Sequence, residues 1–191
     1  MRYVLASDNE HKIQEIRDLL PAQVQLLKQS DFHIESAAET GLTFIENALL
    51  KARHATAAAG LPAIADDSGL EVDALGGRPG IYSSRFAGEQ ATDRDNVQKL
   101  LTEMVGCAIR SARFRCVMVM LRHEFDPAPV IAEGSLEGEI LYETRGNSGF
   151  GYDPVFFMPD RHRSVAELPL SEKNCISHRA QALQKLIPTL L

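Results

Sequence analysis

Residues 63–88 read AIADDSGLEVDALGGRPGIYSSRFAG, and this stretch carries the most unusual pattern in the chain. A short apolar run ends in two adjacent carboxylates, Asp66 and Asp67, and then in Ser68 and a glycine. A second strand-like run follows, which a cluster of glycines and proline at 76–80 breaks. Carboxylates at the end of a buried strand, beside a hydroxyl, suit a hard divalent cation. The glycines allow backbone to come close to a ligand.

The two carboxylates are not equivalent. In extended backbone, neighbouring side chains point to opposite faces, so only one of the two can face a given pocket if the strand continues through both. Asp67 lies nearer to the glycine turn and to the open end of the strand. We therefore predict that Asp67 is the metal ligand and the general base, and that Asp66 supports it or holds the turn.

Composition excludes some classes of function. The 191 residues fit one domain, 1–191, with 45% hydrophobic and 24% charged residues. A net charge of −6 argues against a general nucleic-acid binder, which would present a basic face. It does not exclude a small anionic ligand, because a few local lysines and arginines can outweigh the overall balance.

The cysteines and the N-terminus indicate the compartment. Cys107, Cys116 and Cys175 are widely spaced and odd in number, which predicts free thiols in a reducing environment. The N-terminus lacks the apolar core of a signal peptide, and no stretch reaches the length of a membrane-spanning helix. We predict a cytoplasmic protein without a membrane partner.

Hydrophobic periodicity predicts alternating strands and helices. Strands are expected at 3–6, 24–27, 63–67 and 114–121, with one or two more in 130–142, interrupted by Gly134 and Gly138. Helices are expected over about 10–20, 43–59, 92–105 and 171–186. This order predicts an α/β fold, a mixed twisted sheet with flanking helices that forms two lobes around a central cleft.

The first candidate site outside the acidic pair follows the first strand. Its residues open a helix, where backbone N–H groups and the helix dipole favour an anion, and Lys12 can reach the same anion. An ordinary capped helix with a solvated lysine is the alternative. The segment reads SDNEHK and comprises Ser7, Asp8, Asn9, Glu10, His11 and Lys12.

A second acidic candidate precedes the next helix. Thr43 and Glu46 have the spacing of a capping box, which gives Glu46 a structural role. Glu39 has no such role and is a candidate second metal carboxylate, with a solvated loop charge as the alternative.

Two further candidate sites lie in the last third of the chain. In GFGYDP, Phe150 stands between two glycines and has room to present its ring to a planar base, although a core aromatic in an ordinary loop is equally compatible. Lys173, Ser177, His178 and Arg179 gather polar and basic groups near the last predicted helix. Arginine and histidine donors suit a keto oxygen or a phosphate, and a solvated helix start is the alternative.

Together these segments resemble the inosine triphosphate pyrophosphatase family, the Ham1-like noncanonical purine NTP pyrophosphatases, in its bacterial branch. The matching pieces appear in the family's order and cover essentially the whole chain. They are SDNEHK, TGLTFIENALLKARHA, ADDSGLEVDALGGRPGIYSSRFAG, GFGYDP and AELPLSEKNCISHRAQAL.

The resemblance implies a homodimer that hydrolyses ITP, dITP and XTP to the monophosphate and pyrophosphate with Mg²⁺. It implies that residues 7–12 hold the phosphates, that Asp67 is the base and a magnesium ligand, and that Glu39 is a second ligand. It further implies substrate contacts from Ser68, Phe150, Gly151, Tyr152, Asp153, Lys173, His178 and Arg179.

The chain departs from the family pattern at two positions. Asp8 stands where glycine is common and would weaken a phosphate site unless its carboxylate caps the helix or points away. Ala180 stands where glycine often follows the His-Arg pair. Two other functions stay open on the residues alone: a different phosphohydrolase that releases phosphate, and a nucleotide sensor that binds without hydrolysis.

Overall fold

A computed structural model describes all residues, Met1–Leu191. It contains seven strands and five α-helices, joined by short 3₁₀ turns. The strands are β1 Arg2–Leu5, β2 Gln25–Lys28, β3 Ala63–Val72, β4 Ser111–Leu121, β5 Val130–Ile140, β6 Phe156–Met158 and β7 Arg163–Ser164. The helices are α1 Glu10–Leu19, α2 Phe44–Ala59, α3 Asp93–Glu103, α4 Leu170–Ile176 and α5 His178–Leu186.

The strands form one sheet in the order β2-β1-β3-β4-β5-β6-β7. β1 pairs in parallel with β2 and with β3, whereas β6 pairs antiparallel with β5 and with β7. The predicted mixed sheet with flanking helices is therefore confirmed. None of the helices combines the length and the hydropathy that crossing a bilayer requires.

The chain divides into two compact units. Unit 1 comprises Met1–Asp67, Cys116–Gly134 and His178–Leu191, and unit 2 comprises Ser68–Arg115 and Ser135–Ser177.

The core of unit 1 shows how the strand period of two distributes side chains. On β3, Ile64 packs in one cluster with Ile16 of α1 and Leu183 of α5. Its neighbour Ala65 packs in a different cluster, with Ala52 of α2. α1 and α5 therefore cover one face of β3, and α2 covers the other.

Unit 2 has one apolar core, in which strand residues such as Leu70 and Phe114 pack with Leu100 of α3. The Phe114 and Phe156 rings lie 4.4 Å apart between centroids. The alternate residues of β3 and β4 are charged and pair with one another, as Glu71 does with Arg115 at 3.3 Å. The apolar and charged residues thus separate onto opposite faces, as the strand period requires.

Three boundary predictions are wrong. β3 does not end at Asp67 but continues to Val72, because Ser68 and Gly69 keep extended backbone; the two carboxylates therefore lie in mid-strand. Likewise, Gly134 and Gly138 do not interrupt β5. A Cβ at Gly134 would collide with the carbonyl oxygen of His178, so this glycine permits a close helix approach.

The third correction concerns the C-terminus, where the single predicted helix is two helices, α4 and α5. Ser177 has extended backbone, φ −61° and ψ 154°, and its N–H bonds the carbonyl oxygen of Lys173 to end α4. Serine favours such extended positions at helix boundaries because its side chain competes for backbone hydrogen bonds.

Candidate active-site residues

The acidic pair on β3 faces two different sets of residues. Asp66 shares its parity with Ile64 and faces α1 and α5, whereas Asp67 shares its parity with Ala65 and faces α2. Both carboxylates are buried, at 1% and 5% exposure. Since a buried carboxylate is costly without a partner, each must be balanced by cations on its own face.

On the α2 face, Lys51 balances Asp67. Its Nζ lies 2.8 Å from Asp67 Oδ1 and 3.0 Å from Glu39 Oε1, so the two carboxylates from separate segments converge on one ammonium. Asn47, one turn earlier on α2, places its Nδ2 3.4 Å from Asp67 Oδ2. The predicted acidic partners Asp67 and Glu39 are therefore brought together.

The pKa of Asp67 is raised. Burial raises it, and the attraction of Lys51 offsets this only in part. A carboxylate with a raised pKa is a stronger base than an ordinary aspartate. The pKa of Asp67 is raised even though the ammonium of Lys51 lies beside it.

On the opposite face, Asp66 belongs to a buried ion network. Lys12 Nζ lies 2.9 Å from Asp66 Oδ2, and Arg179 Nε lies 3.6 Å from the same oxygen. Arg179 Nη1 also donates to Glu15 Oε2, and both of these side chains are buried. Burial by itself would raise the pKa of Asp66, but the charges of Lys12 and Arg179 outweigh it and hold the pKa well below its usual range. Asp66 therefore stays ionised and suits a structural role.

The segment 7–12, which opens α1, contacts this ion network only in part. Asn9 caps α1, since its Oδ1 accepts from the N–H of Lys12 at 3.1 Å, and Asn9 N–H donates to Ser7 Oγ at 3.3 Å. Glu10 instead pairs with Lys28 at 2.6 Å. His11 is exposed. The side chain of Lys12 reaches the acidic pair, with its Nζ 2.9 Å from Asp66 Oδ2.

Asp8 is one of the two departures from the family pattern, and the structure shows where its carboxylate points. Its Oδ2 accepts from Ser36 Oγ at 2.8 Å and from Gln29 Nε2. The carboxylate is thus held by the 29–36 segment and does not cap α1, which Asn9 does.

Unit 2 carries the second group of predicted residues, on the loop 149–153. Lys173 Nζ lies 2.6 Å from Asp153 Oδ2 and 4.5 Å from the centroid of the Phe150 ring. Asp153 Oδ2 also accepts from the N–H of Phe150 at 3.0 Å. A Cβ on Gly149 would collide with the Asp153 carboxylate, so this position requires glycine. Phe150, Asp153 and Lys173 therefore form one cluster.

The other predicted residues lie at three further positions. Tyr152 is buried, and its hydroxyl donates to the carbonyl of Ser83 at 2.8 Å. Burial raises the pKa of Tyr152, so its phenol stays protonated. Ser68 follows Asp67 along β3 and is partly exposed, and His178 opens α5 in a buried position.

Sequence reasoning missed Lys51, Asn47 and Glu15. Each is a polar residue among the apolar residues of an amphipathic helix: Asn47 is fully buried beside Ala48, and Glu15 is buried beside Ile16. A polar side chain on the buried face of a helix needs a partner, and this was the available indication.

The acidic residues of unit 1 also meet a test for a magnesium site. No three histidine, cysteine or acidic side chains cluster as a closed metal cage. Mg²⁺ instead commonly binds through one or two carboxylates together with substrate phosphates, and Asp67 and Glu39 supply such a pair converging on one cationic position. On this face two carboxylates meet one lysine, so a divalent cation would offset the excess negative charge and favour a polyphosphate. The residues present fit the metal.

Comparisons with known proteins identify relatives of the whole chain. The chain matches the sequence model of the Ham1 family over residues 3–189. It is 55% identical to a Photobacterium profundum protein named dITP/XTP pyrophosphatase, over 99% of this chain and 98% of that protein. A Shigella flexneri protein of the same name is 54% identical over the same shares of the two chains.

Solved structures give the same result. The structure of a HAM1 protein from Coxiella burnetii matches with a TM-score of 0.94 and 48% identity, covering 100% of this chain and 98% of that one. The Staphylococcus aureus Ham1 protein matches with a TM-score of 0.90 and 39% identity over the same shares.

Proposed function

We propose, from the premise that the chain belongs to the Ham1 family, that it hydrolyses the noncanonical purine nucleoside triphosphates ITP, dITP and XTP. The products would be the nucleoside monophosphate and pyrophosphate. The printed names of the Photobacterium and Shigella relatives support this substrate class.

The observation that carries the chemistry is the convergence of Asp67 and Glu39 on Lys51 Nζ, at 2.8 and 3.0 Å. Two carboxylates beside a lysine form a donor set for a metal–phosphate complex. When bound, Mg²⁺ would offset the charge that develops on the pyrophosphate leaving group. We assign Asp67 and Glu39 as the residues that hold it.

Asp67 is the proposed general base. Its carboxylate lies 2.8 Å from Lys51 Nζ on the α2 face, where it would accept a proton from the water that attacks the α-phosphate. The positive charges of Lys12 and Lys51 would attract the triphosphate and orient its oxygens. Lys12 belongs to the segment 7–12, which we propose binds the phosphates. Ser68, which follows the general base Asp67 in the chain, is a further proposed substrate contact.

Base recognition is assigned to the C-terminal residues and the aromatic loop. Hypoxanthine and xanthine carry a keto oxygen at C6, whereas adenine carries an amino group. Donors from His178 or Arg179 would pair with the keto oxygen and leave adenine with donor facing donor. Phe150 would stack on the purine, with Gly151, Tyr152, Asp153 and Lys173 completing its surroundings.

A product assay tests the proposed function. Purified protein is incubated with ITP, dITP, XTP, GTP and ATP in the presence of Mg²⁺, and pyrophosphate and phosphate are detected separately. We expect pyrophosphate from the first three and little from ATP or GTP. Release of phosphate, or equal turnover of all five, would contradict it. Omitting Mg²⁺ or adding EDTA should abolish turnover.

Two wider features complete the proposal. We infer a homodimer, as the family resemblance implies, and light scattering of the purified protein tests it. We also infer a cytoplasmic location, in keeping with the free thiols at Cys107, Cys116 and Cys175.

A further inference from the structure

The loop that presents Phe150 has a glycine on each side of that residue. Gly149 and Gly151 have φ angles of +80° and +60°, in the left-handed region. Glycine crosses between backbone regions at little steric cost, so such a loop holds a single conformation only where other groups fix it. Contacts of the backbone N–H groups are therefore decisive for the direction of the Phe150 ring.

Two carboxylates hold two consecutive N–H groups of this loop. Asp153 accepts from Phe150 N at 3.0 Å, and Asp93 Oδ2 accepts from Gly151 N at 2.7 Å. Asp153 is local and belongs to the motif. Asp93 comes from the first turn of α3, 58 residues earlier in the chain, and lies outside every motif that the sequence singled out.

Asp93 is not required as the cap of α3. The cap is Thr92, whose Oγ1 accepts from Asp95 N at 3.2 Å, while Asp95 Oδ2 accepts from Thr92 N at 2.8 Å. This reciprocal capping box already satisfies the helix terminus. The Asp93 carboxylate is thus available for the loop.

The helix that carries Asp93 is itself firmly attached to neighbouring backbone. Asn96 is buried, and its side chain accepts from Ala87 N at 2.8 Å and donates to the carbonyl of Ser84 at 3.0 Å. Lys99 Nζ donates to the carbonyl of Phe86 at 2.7 Å. These bonds fix the position of α3, and Asp93 holds the loop from its first turn.

We propose that Asp93 is a positioning residue for recognition of the purine base, which it serves by fixing the Gly151 backbone and hence the ring of Phe150. This role rests on the proposed function, in which Phe150 stacks on the base. Loss of the contact would lower the fraction of molecules whose loop is competent to bind, and so raise KM with little change in kcat.

Kinetics of three variants test the proposal. We expect Asp93→Ala to raise KM for ITP about tenfold, the effect of losing one charge-assisted hydrogen bond, with kcat within about twofold of wild type. Asp93→Asn retains an acceptor oxygen and should recover most of the loss. Gln98→Ala is the control, because it truncates an exposed polar side chain on the same helix and leaves the capping box and the loop contact in place, and its KM should stay unchanged.

A fluorescence measurement tests the same contact without substrate. The chain contains no tryptophan, so Phe150→Trp introduces a single reporter at the loop. We expect Asp93→Ala in this background to lower the steady-state anisotropy of the tryptophan emission, and Gln98→Ala to leave it unchanged.

The outcomes separate this inference from the proposed function. Unchanged KM and anisotropy in Asp93→Ala, or equal changes in Gln98→Ala, would overturn the role of Asp93. If the wild type hydrolyses none of the triphosphates, the proposed function fails. The anisotropy comparison then still decides whether Asp93 orders the loop at position 150.

Discussion

Asp66 and Asp67 are adjacent in the chain, yet their carboxylates bind cations on opposite faces of β3. Asp66 pairs with Lys12 at 2.9 Å, and Asp67 pairs with Lys51 at 2.8 Å. Burial raises the pKa of Asp67, whereas the surrounding charges of Lys12 and Arg179 overcome burial at Asp66 and lower its pKa. One strand therefore supplies a candidate base and a permanently ionised structural group from consecutive residues.

Asp67→Asn should abolish turnover and leave the fold intact. The amide has nearly the same shape, and Lys51 keeps its ion pair with Glu39. Loss of a general base lowers kcat by about a hundredfold or more. Steady-state kinetics with ITP, together with a thermal melt, check this. Activity above about a tenth of wild type would contradict the assignment of Asp67 as the base.

Asp66→Asn should instead destabilise the protein. It removes the buried counter-charge of Lys12 and of Arg179, and breaking a buried ion pair from one side costs about 3 kcal/mol or more. Urea unfolding measures the free energy of unfolding, with Asp67→Asn as the matched variant on the same strand. A free energy of unfolding of Asp66→Asn within about 1 kcal/mol of the wild-type value would show that the Asp66 network contributes little.

His178→Ala should reduce the preference for ITP over ATP. Losing a donor to the C6 keto oxygen lowers kcat/KM for ITP and leaves the value for ATP nearly unchanged, so the ratio should fall about tenfold or more. Gln184→Ala, an exposed change on the same helix, serves as the control. An unchanged ratio would remove His178 from base recognition. Arg179→Ala is less suitable, because Arg179 is buried and paired with Glu15 and Asp66.

Gly134→Ala should destabilise unit 1 and impair activity. The added methyl group would collide with the His178 carbonyl and displace the start of α5, where His178 and Arg179 lie. Gly60→Ala is the comparison, since its Cβ meets no atom within 4 Å and its cost is only that of positive φ, about 1 kcal/mol. Thermal melts and kcat/KM of both variants check this. A smaller loss in Gly134→Ala than in Gly60→Ala would show that α5 adjusts freely.

Cys116 should be unreactive in the native protein. It is 1% exposed, and burial raises the pKa of its thiol to about 12. Because the raised value keeps the thiol protonated, it stays neutral as the pH increases until about 12 is approached, and the reactive thiolate is scarce at about pH 8. DTNB titration should label exposed Cys175 rapidly and Cys116 only after unfolding. Rapid labelling of a Cys107→Ser/Cys175→Ser variant, in which Cys116 is the remaining thiol, would contradict this.

Several features followed from local pattern. Helical spacing and capping residues predicted α2 with its Thr43 cap and the left-handed Gly60 at its end, and both are present. The prediction that neighbouring carboxylates face opposite sides of a continuous strand is also confirmed. Local pattern gave wrong boundaries at two residue types. Gly134 was predicted to interrupt a strand but lies within β5. Ser177 was predicted to lie within one helix but separates α4 from α5.

The sequence by itself determined the α/β class, the alternation of faces along β3, and the position of each motif, because these depend on residues close together in the chain. Tertiary structure decided which cation meets which carboxylate. Lys51 reaches Asp67 across 16 positions, and Arg179 reaches Glu15 across 164. Such partners are set by which helix covers which face of the sheet, and only the packing of apolar residues from distant segments specifies that.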